Sequence, residues 1–80
     1  MFTGIKMPGF SPVDDQYKVM KIHNQAGDTV TKGAPFLEVE CEKGTFIVSH
    51  FFSGLLTELN VEVGQSARKD SLIGVVDTPE

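Results

Sequence analysis

The chain repeats itself, and that constrains its fold more than any other feature. The segment Gly27-Asp28-Thr29-Val30-Thr31-Lys32-Gly33-Ala34-Pro35-Phe36 can be laid over Gly64-Gln65-Ser66-Ala67-Arg68-Lys69-Asp70-Ser71-Leu72-Ile73 at a constant offset of 37 residues. The same offset pairs Val19 with Leu56, Ile22 with Leu59 and Val39 with Val76. Turn-former, small apolar, turn-former and large apolar follow one another in the same order in both copies. Each copy is too short to enclose a core, so two similar halves of a small β protein must bury their apolar faces against each other.

The elements follow from the spacing of turn residues. Residues 3–7 read as a short strand that Pro8-Gly9 ends, and residues 10–16 as a loop carrying Pro12, Asp14 and Asp15. Residues 17–23 read as a strand with Val19 and Ile22 inward, its imperfect alternation leaving room for a bulge. Turns at 25–28 and 33–35 enclose a bridging strand with Val30 inward. Residues 55–61 could pass as helix on propensity alone, but the repeat and the bounding glycines assign them to a strand. Residues 64–70 repeat the earlier turns and residues 72–76 form the closing strand. The expected fold is all-β: two four-stranded antiparallel sheets facing each other as a flattened barrel or sandwich with pseudo-twofold symmetry. Residues 1–77 form the domain, and residues 78–80 a tail or the start of a linker.

At the junction of the halves one strand climbs through Phe36-Leu37-Glu38-Val39-Glu40 and another descends through Thr45-Phe46-Ile47-Val48. Phe46 and Val48 share a face if the period of two holds. Between these strands lie Cys41, Glu42, Lys43 and Gly44. Gly44 supplies the positive φ that a tight reversal needs, and Lys43 is the side chain the reversal holds out to solvent. A lysine on a rigid tip is within reach of another protein, which a covalently loaded carrier requires. By residue type alone a solubilising turn residue is the favoured reading, because charged hairpin tips are common.

Composition removes other classes. Hydrophobic residues make up 40% and charged residues 22% of the 80, ordinary for a soluble globular domain. A net charge of −4 without a basic patch argues against nucleic-acid binding. No apolar run approaches the ~20 residues of a membrane-spanning helix, and no signal-peptide pattern opens the chain. A single cysteine permits no internal disulfide. Cys41 has no paired base and reads as a small side chain on the hairpin rather than a nucleophile. His23 and His50 lack metal-ligand spacing, and no phosphate-cradling glycine motif is present. In His50-Phe51-Phe52 two adjacent rings must face opposite ways, so one is expected in the core and the other at its edge or in a partner-binding patch.

The run Gly27-Asp28-x-Val30-x-x-Gly33-x-x-Phe36-Leu37-Glu38-Val39-Glu40-Cys41-Glu42-Lys43-Gly44 resembles the lipoyl domain of 2-oxo acid dehydrogenase complexes, in the biotinyl/lipoyl-attachment family. Met7-Pro8 and Ser53-Gly54 match further parts of the pattern, and the likeness spans roughly residues 3 to 77. It departs at Cys41, Glu42 and Gly44, where Thr or Ser, Asp and Ala are usual, at Tyr17 in place of glycine, and at His50-Phe51-Phe52. The resemblance implies lipoic acid in amide linkage on Lys43, with Glu40, Glu42 and Gly44 recognised by the lipoylating enzyme and Asp14 and Asp15 by partner enzymes. Those partners would be a thiamine-diphosphate-dependent decarboxylase, an acyltransferase core and dihydrolipoamide dehydrogenase. The domain would then be a monomeric substrate carrier, not an enzyme; such domains usually form the N-terminal part of an acyltransferase chain. It would work in the bacterial cytoplasm or, in a eukaryote, in the mitochondrial matrix. Biotin carriers of carboxylases share the fold but carry Met-Lys-Met at the tip, which Glu42-Lys43-Gly44 lacks. A third reading is an unmodified barrel acting as a structural or adaptor module.

Overall fold

In a computed structural model, which describes residues 1–79, eight strands run in chain order: β1 (Phe2–Lys6), β2 (Gln16–Ile22), β3 (Thr29–Val30), β4 (Pro35–Cys41), β5 (Gly44–Ser49), β6 (Gly54–Leu59), β7 (Ser66–Arg68) and β8 (Leu72–Asp77). They form two antiparallel four-stranded sheets, ordered β1-β8-β6-β3 and β5-β4-β2-β7. Exchanging β1 with β5, β2 with β6, β3 with β7 and β4 with β8 turns one sheet into the other. This is the pseudo-twofold sandwich that the repeat requires. Of the expected tail, residue 80 lies outside the described residues.

The symmetry reaches individual hydrogen bonds. Gly27 N–H donates to the Leu56 carbonyl at 2.7 Å, and Gly64 N–H to that of Val19 at 2.8 Å. Leu56 N–H donates to Asp28 O and Val19 N–H to Gln65 O; His23 N–H donates to Phe36 O and Asn60 N–H to Ile73 O. Each bond is its mate displaced by 37 residues. The bulges repeat too, one between Val19 and Lys21 and another between Leu56 and Glu58. A further irregularity between Pro35 and Leu37 lets the adjacent Phe36 and Leu37 both enter the core. Gly33 has φ +90°, and its mate Asp70 is the one non-glycine described with a positive φ, at +68°. The repeat therefore preserved the backbone conformation at a site where it did not preserve the glycine. Asp is among the residues that enter that region most readily.

Between the sheets lies a single core of Ile5, Met7, Tyr17, Val19, Val30, Phe36, Leu37, Val39, Val48, Leu56, Val61, Ala67, Ile73 and Val76. The repeat mates Val19/Leu56, Phe36/Ile73 and Val39/Val76 are all fully buried. Val30 is inward as expected, while Ile22 and Phe46 are partly buried against the core. In the His50-Phe51-Phe52 segment Phe52 packs on the core and Phe51 is 44% exposed. His50 is more buried than either ring, at 2% exposure.

Candidate functional site

The β4–β5 connection is as short as a hairpin allows. Cys41 pairs with Gly44, so only Glu42 and Lys43 lie between the strands. Neither has a positive φ; Gly44 supplies it, at +133°. A reversal with left-handed conformations confined to the glycine suits Glu and Lys, which carry a Cβ penalty there. Behind the tip, Cys41 is half-buried against the core while Glu40, Glu42, Lys43 and Gly44 are exposed. Val39 pairs with Phe46 and Leu37 with Val48, so the arm is anchored by buried side chains a few residues below Lys43. No salt bridge involves Lys43 among the described residues. Its amine projects from a fixed base into solvent.

The loop of residues 8–15 lies against this arm. Phe10 stacks on Phe46 with ring centroids 4.9 Å apart and meets Tyr17 edge-on at 5.7 Å. Tyr17, fully buried, organises the loop through its hydroxyl. The oxygen accepts from the N–H of Phe10 at 2.9 Å and of Ser11 at 3.2 Å, and the O–H donates to the Asp14 carbonyl at 3.1 Å. Asp14 is partly buried, with one carboxylate oxygen buried and unpaired. Asp15 is exposed, and its carbonyl accepts from Lys69 N–H at 2.7 Å. The structure thus places Asp14 and Asp15 on a loop stacked against the Lys43 arm. Tyr17 is the residue that sequence reasoning flagged as a departure without finding its role. A bulky phenol where glycine is usual was the available signal.

The acidic arm is less uniform than its sequence suggests. Glu38 bonds His23 Nε2 at 3.0 Å and stands in register with Lys21, and Glu40 stands in register with Lys18. Such cross-strand opposite charges offset one another. Glu42, at the tip, has no salt-bridge partner among the described residues.

An open groove of about 650 Å³ lies on the outer face of β1-β8-β6, lined by Phe2, Gly4, Thr57, Glu58, Leu72 and Val75. A second, of about 460 Å³, is lined by Ile22, Gln25, Ala26, Leu59, Val61, Glu62 and Val63. Neither includes a residue of the tip. Among the described residues no group of three or more His, Cys, Asp or Glu is placed to hold a metal ion. The arrangement presents the exposed side chain of Lys43 at the end of an anchored two-residue hairpin.

Comparison with known proteins agrees with this fold. The profile of the Biotin_lipoyl family, described as "Biotin-requiring enzyme", matches residues 3–76. The chain belongs to this biotin/lipoyl-attachment family. Its fold is similar to the solution structure of the lipoyl domain of the 2-oxoglutarate dehydrogenase complex from Azotobacter vinelandii, with a TM-score of 0.74. That comparison has 21% identity and covers 95% of this chain and 98% of the other. No curated protein matches the sequence.

Proposed function

We propose that this domain is a lipoyl carrier, with Lys43 the attachment point and lipoate the covalent group. The observation that carries the reading is the two-residue tip: an exposed, unpaired Lys43 preceded by Glu42 and followed by Gly44, with no methionine on either side. The fold and family accommodate either lipoate or biotin; the acidic residue before the lysine favours lipoate. The residues present fit such a group, because the amine is free to be acylated and nothing packs over it. When bound, lipoate supplies a disulfide that opens on taking up an acyl group and closes again on oxidation. The chain's own part is mechanical. Val39, Phe46 and Val48 fix the base of the arm, Gly44 closes the reversal, and Lys43 sets the point from which the group swings.

The partners follow from this reading: a lipoylating enzyme, a thiamine-diphosphate-dependent decarboxylase, an acyltransferase core and dihydrolipoamide dehydrogenase. The similar fold of a lipoyl domain from a 2-oxoglutarate dehydrogenase complex supports this reading. A carrier tethered to such a complex gains because the linker converts each encounter into an intramolecular one. The loop residues Asp14 and Asp15, with Glu42 at the tip, are the charges a partner would meet first.

The test exchanges two adjacent residues, Glu42→Lys with Lys43→Glu, leaving composition and net charge unchanged. The swapped lysine leaves from the other position of the turn, so lipoylation by a purified ligase should fall below detection while the fold persists. Lipoylation at the normal rate would show that the ligase does not read the position of the lysine on this hairpin.

A further inference from the structure

His50 has no part in carrying a group on Lys43. Lys43 is at the Cys41 end of β4, whereas His50 is clamped to the turn before Pro35, at the other end. Across a seven-residue strand the two ends are about 20 Å apart. The clamp is two-sided: His50 N–H donates to the Ala34 carbonyl at 2.9 Å, and Gly33 N–H donates to the His50 carbonyl at 2.9 Å. The ring stacks on Phe36 with centroids 4.5 Å apart. Nε2 lies 2.7 Å from Asn24 Oδ1, while Nδ1 is buried with no partner. The proton therefore belongs on Nε2, leaving Nδ1 a bare lone pair. Desolvation lowers the affinity of this imidazole for a second proton below its ordinary value.

The pseudo-twofold mate of His50 is Met7. Met7 N–H donates to the Ser71 carbonyl and Asp70 N–H donates to the Met7 carbonyl, at 2.9 and 2.8 Å, reproducing the clamp in the other half. Met7 is fully buried too. One half of the fold thus fills this position with a thioether and the other with a titratable ring.

The surrounding charges do not favour a protonated ring. His23, beside Asn24 in the chain, is bound to Glu38. Asp28 accepts from Gln25 N–H through Oδ2, and Lys32, exposed beyond the turn, uses its backbone N–H to reach Ser53 Oγ at 2.8 Å. Among the described residues no carboxylate hydrogen-bonds the His50 ring. A proton on Nδ1 would create a buried donor and a buried charge without an acceptor for either. Only hydration relieves that. Because His50 is clamped through its own backbone, hydrating the ring by moving this segment breaks the bonds to Gly33 and Ala34 and loosens the residues that hold Ser53.

We propose that His50 is an acid-sensitive latch: proton uptake at Nδ1 releases residues 50–53 together with the 31–34 turn, while the Lys43 hairpin at the other end stays formed. The device does not depend on which group Lys43 carries.

Amide hydrogen exchange on the full chain tests it with an internal control. If the released ring has an ordinary value near 6.5, the opening that exposes His50 N–H and Gly33 N–H should rise up to about 30-fold between pH 7.5 and 5.0, after correction for intrinsic rates. A rise of at least about threefold is expected at this pair. Met7 N–H and Asp70 N–H, in the equivalent clamp, should change less than twofold. His50→Met, which copies the side chain of the other half, should abolish the rise. In the wild-type chain the His50 ring should titrate below the ordinary histidine value by NMR, a readout that stands even if the variant folds poorly. A pH-independent opening at Gly33 and His50, an equal rise at Met7 and Asp70, a rise that persists in His50→Met, or a His50 ring that titrates at the ordinary histidine value while its amides stay protected would each overturn the latch.

Discussion

Replacing Tyr17 with Phe removes one oxygen and nothing else. That oxygen serves three backbone groups of the 8–15 loop: the N–H groups of Phe10 and Ser11 and the carbonyl of Asp14. Ser11 is buried and Phe10 and Asp14 are partly so, which limits how well water can replace the hydroxyl. Each lost bond costs about 1 kcal/mol net, and a buried group left unpaired about 1–3 kcal/mol. Taking each of the three groups near 1 kcal/mol gives a loss of about 3 kcal/mol. A domain of this size has roughly 4–12 kcal/mol in all. At about 4–8 °C per kcal/mol, Tm should fall by about 12–24 °C. Urea denaturation should show a lower midpoint with an unchanged m-value, since the exposed surface is nearly the same. Exchange at Ser11 N–H should quicken well beyond that at Val48 N–H. A Tm within about 3 °C of wild type, with Ser11 still protected, would refute the claim that the phenol organises this loop.

Three other outcomes follow from the same contacts. Gly54→Ala would drive a Cβ into the Asp77 carbonyl oxygen of β8, so Tm should fall by at least about 10 °C in a thermal melt, a backbone clash being costlier than a surface change. Asp70→Gly relieves a left-handed residue whose mate Gly33 is already glycine, so chemical denaturation should show unchanged stability or a gain of up to about 1 kcal/mol. Converting Asp14, Asp15 and Glu42 to their amides should slow reductive acylation by the cognate decarboxylase at low salt and less so near physiological ionic strength, where screening shortens to ~8 Å. A rate independent of both the substitutions and salt would leave these carboxylates no part in recognition.

Most of the architecture was legible because turns and core positions recur with their spacing intact. Gly27 and Gly64, Val30 and Ala67, and Phe36 and Ile73 occupy equivalent places in the two halves, as the offset demands. The Lys43 hairpin was legible for a local reason: a glycine beside a lysine between two alternating strands leaves few geometries. What stayed hidden depends on contacts between distant segments. Nothing in His50-Phe51-Phe52 says that the histidine is the buried ring, since its burial is settled by Phe36 and by Asn24, 26 residues away. Tyr17 reads as an ordinary strand residue until the loop it ties is folded over it. Glu38 and Glu40 look like part of an acidic cluster in one dimension, and only the β2–β4 register sets them opposite Lys21 and Lys18.

In the proposed function Lys43 alone is modified, and with lipoate. It is tested most directly by the intact and peptide masses of the chain made in cells supplied with lipoate and biotin and expressing ligases for both. One lipoyl group is expected, on the peptide containing Lys43, and an unmodified mass for Lys43→Gln, which should remain folded by circular dichroism. A biotinyl increment on Lys43, no increment at all, or a lipoyl group still present on Lys43→Gln would contradict it.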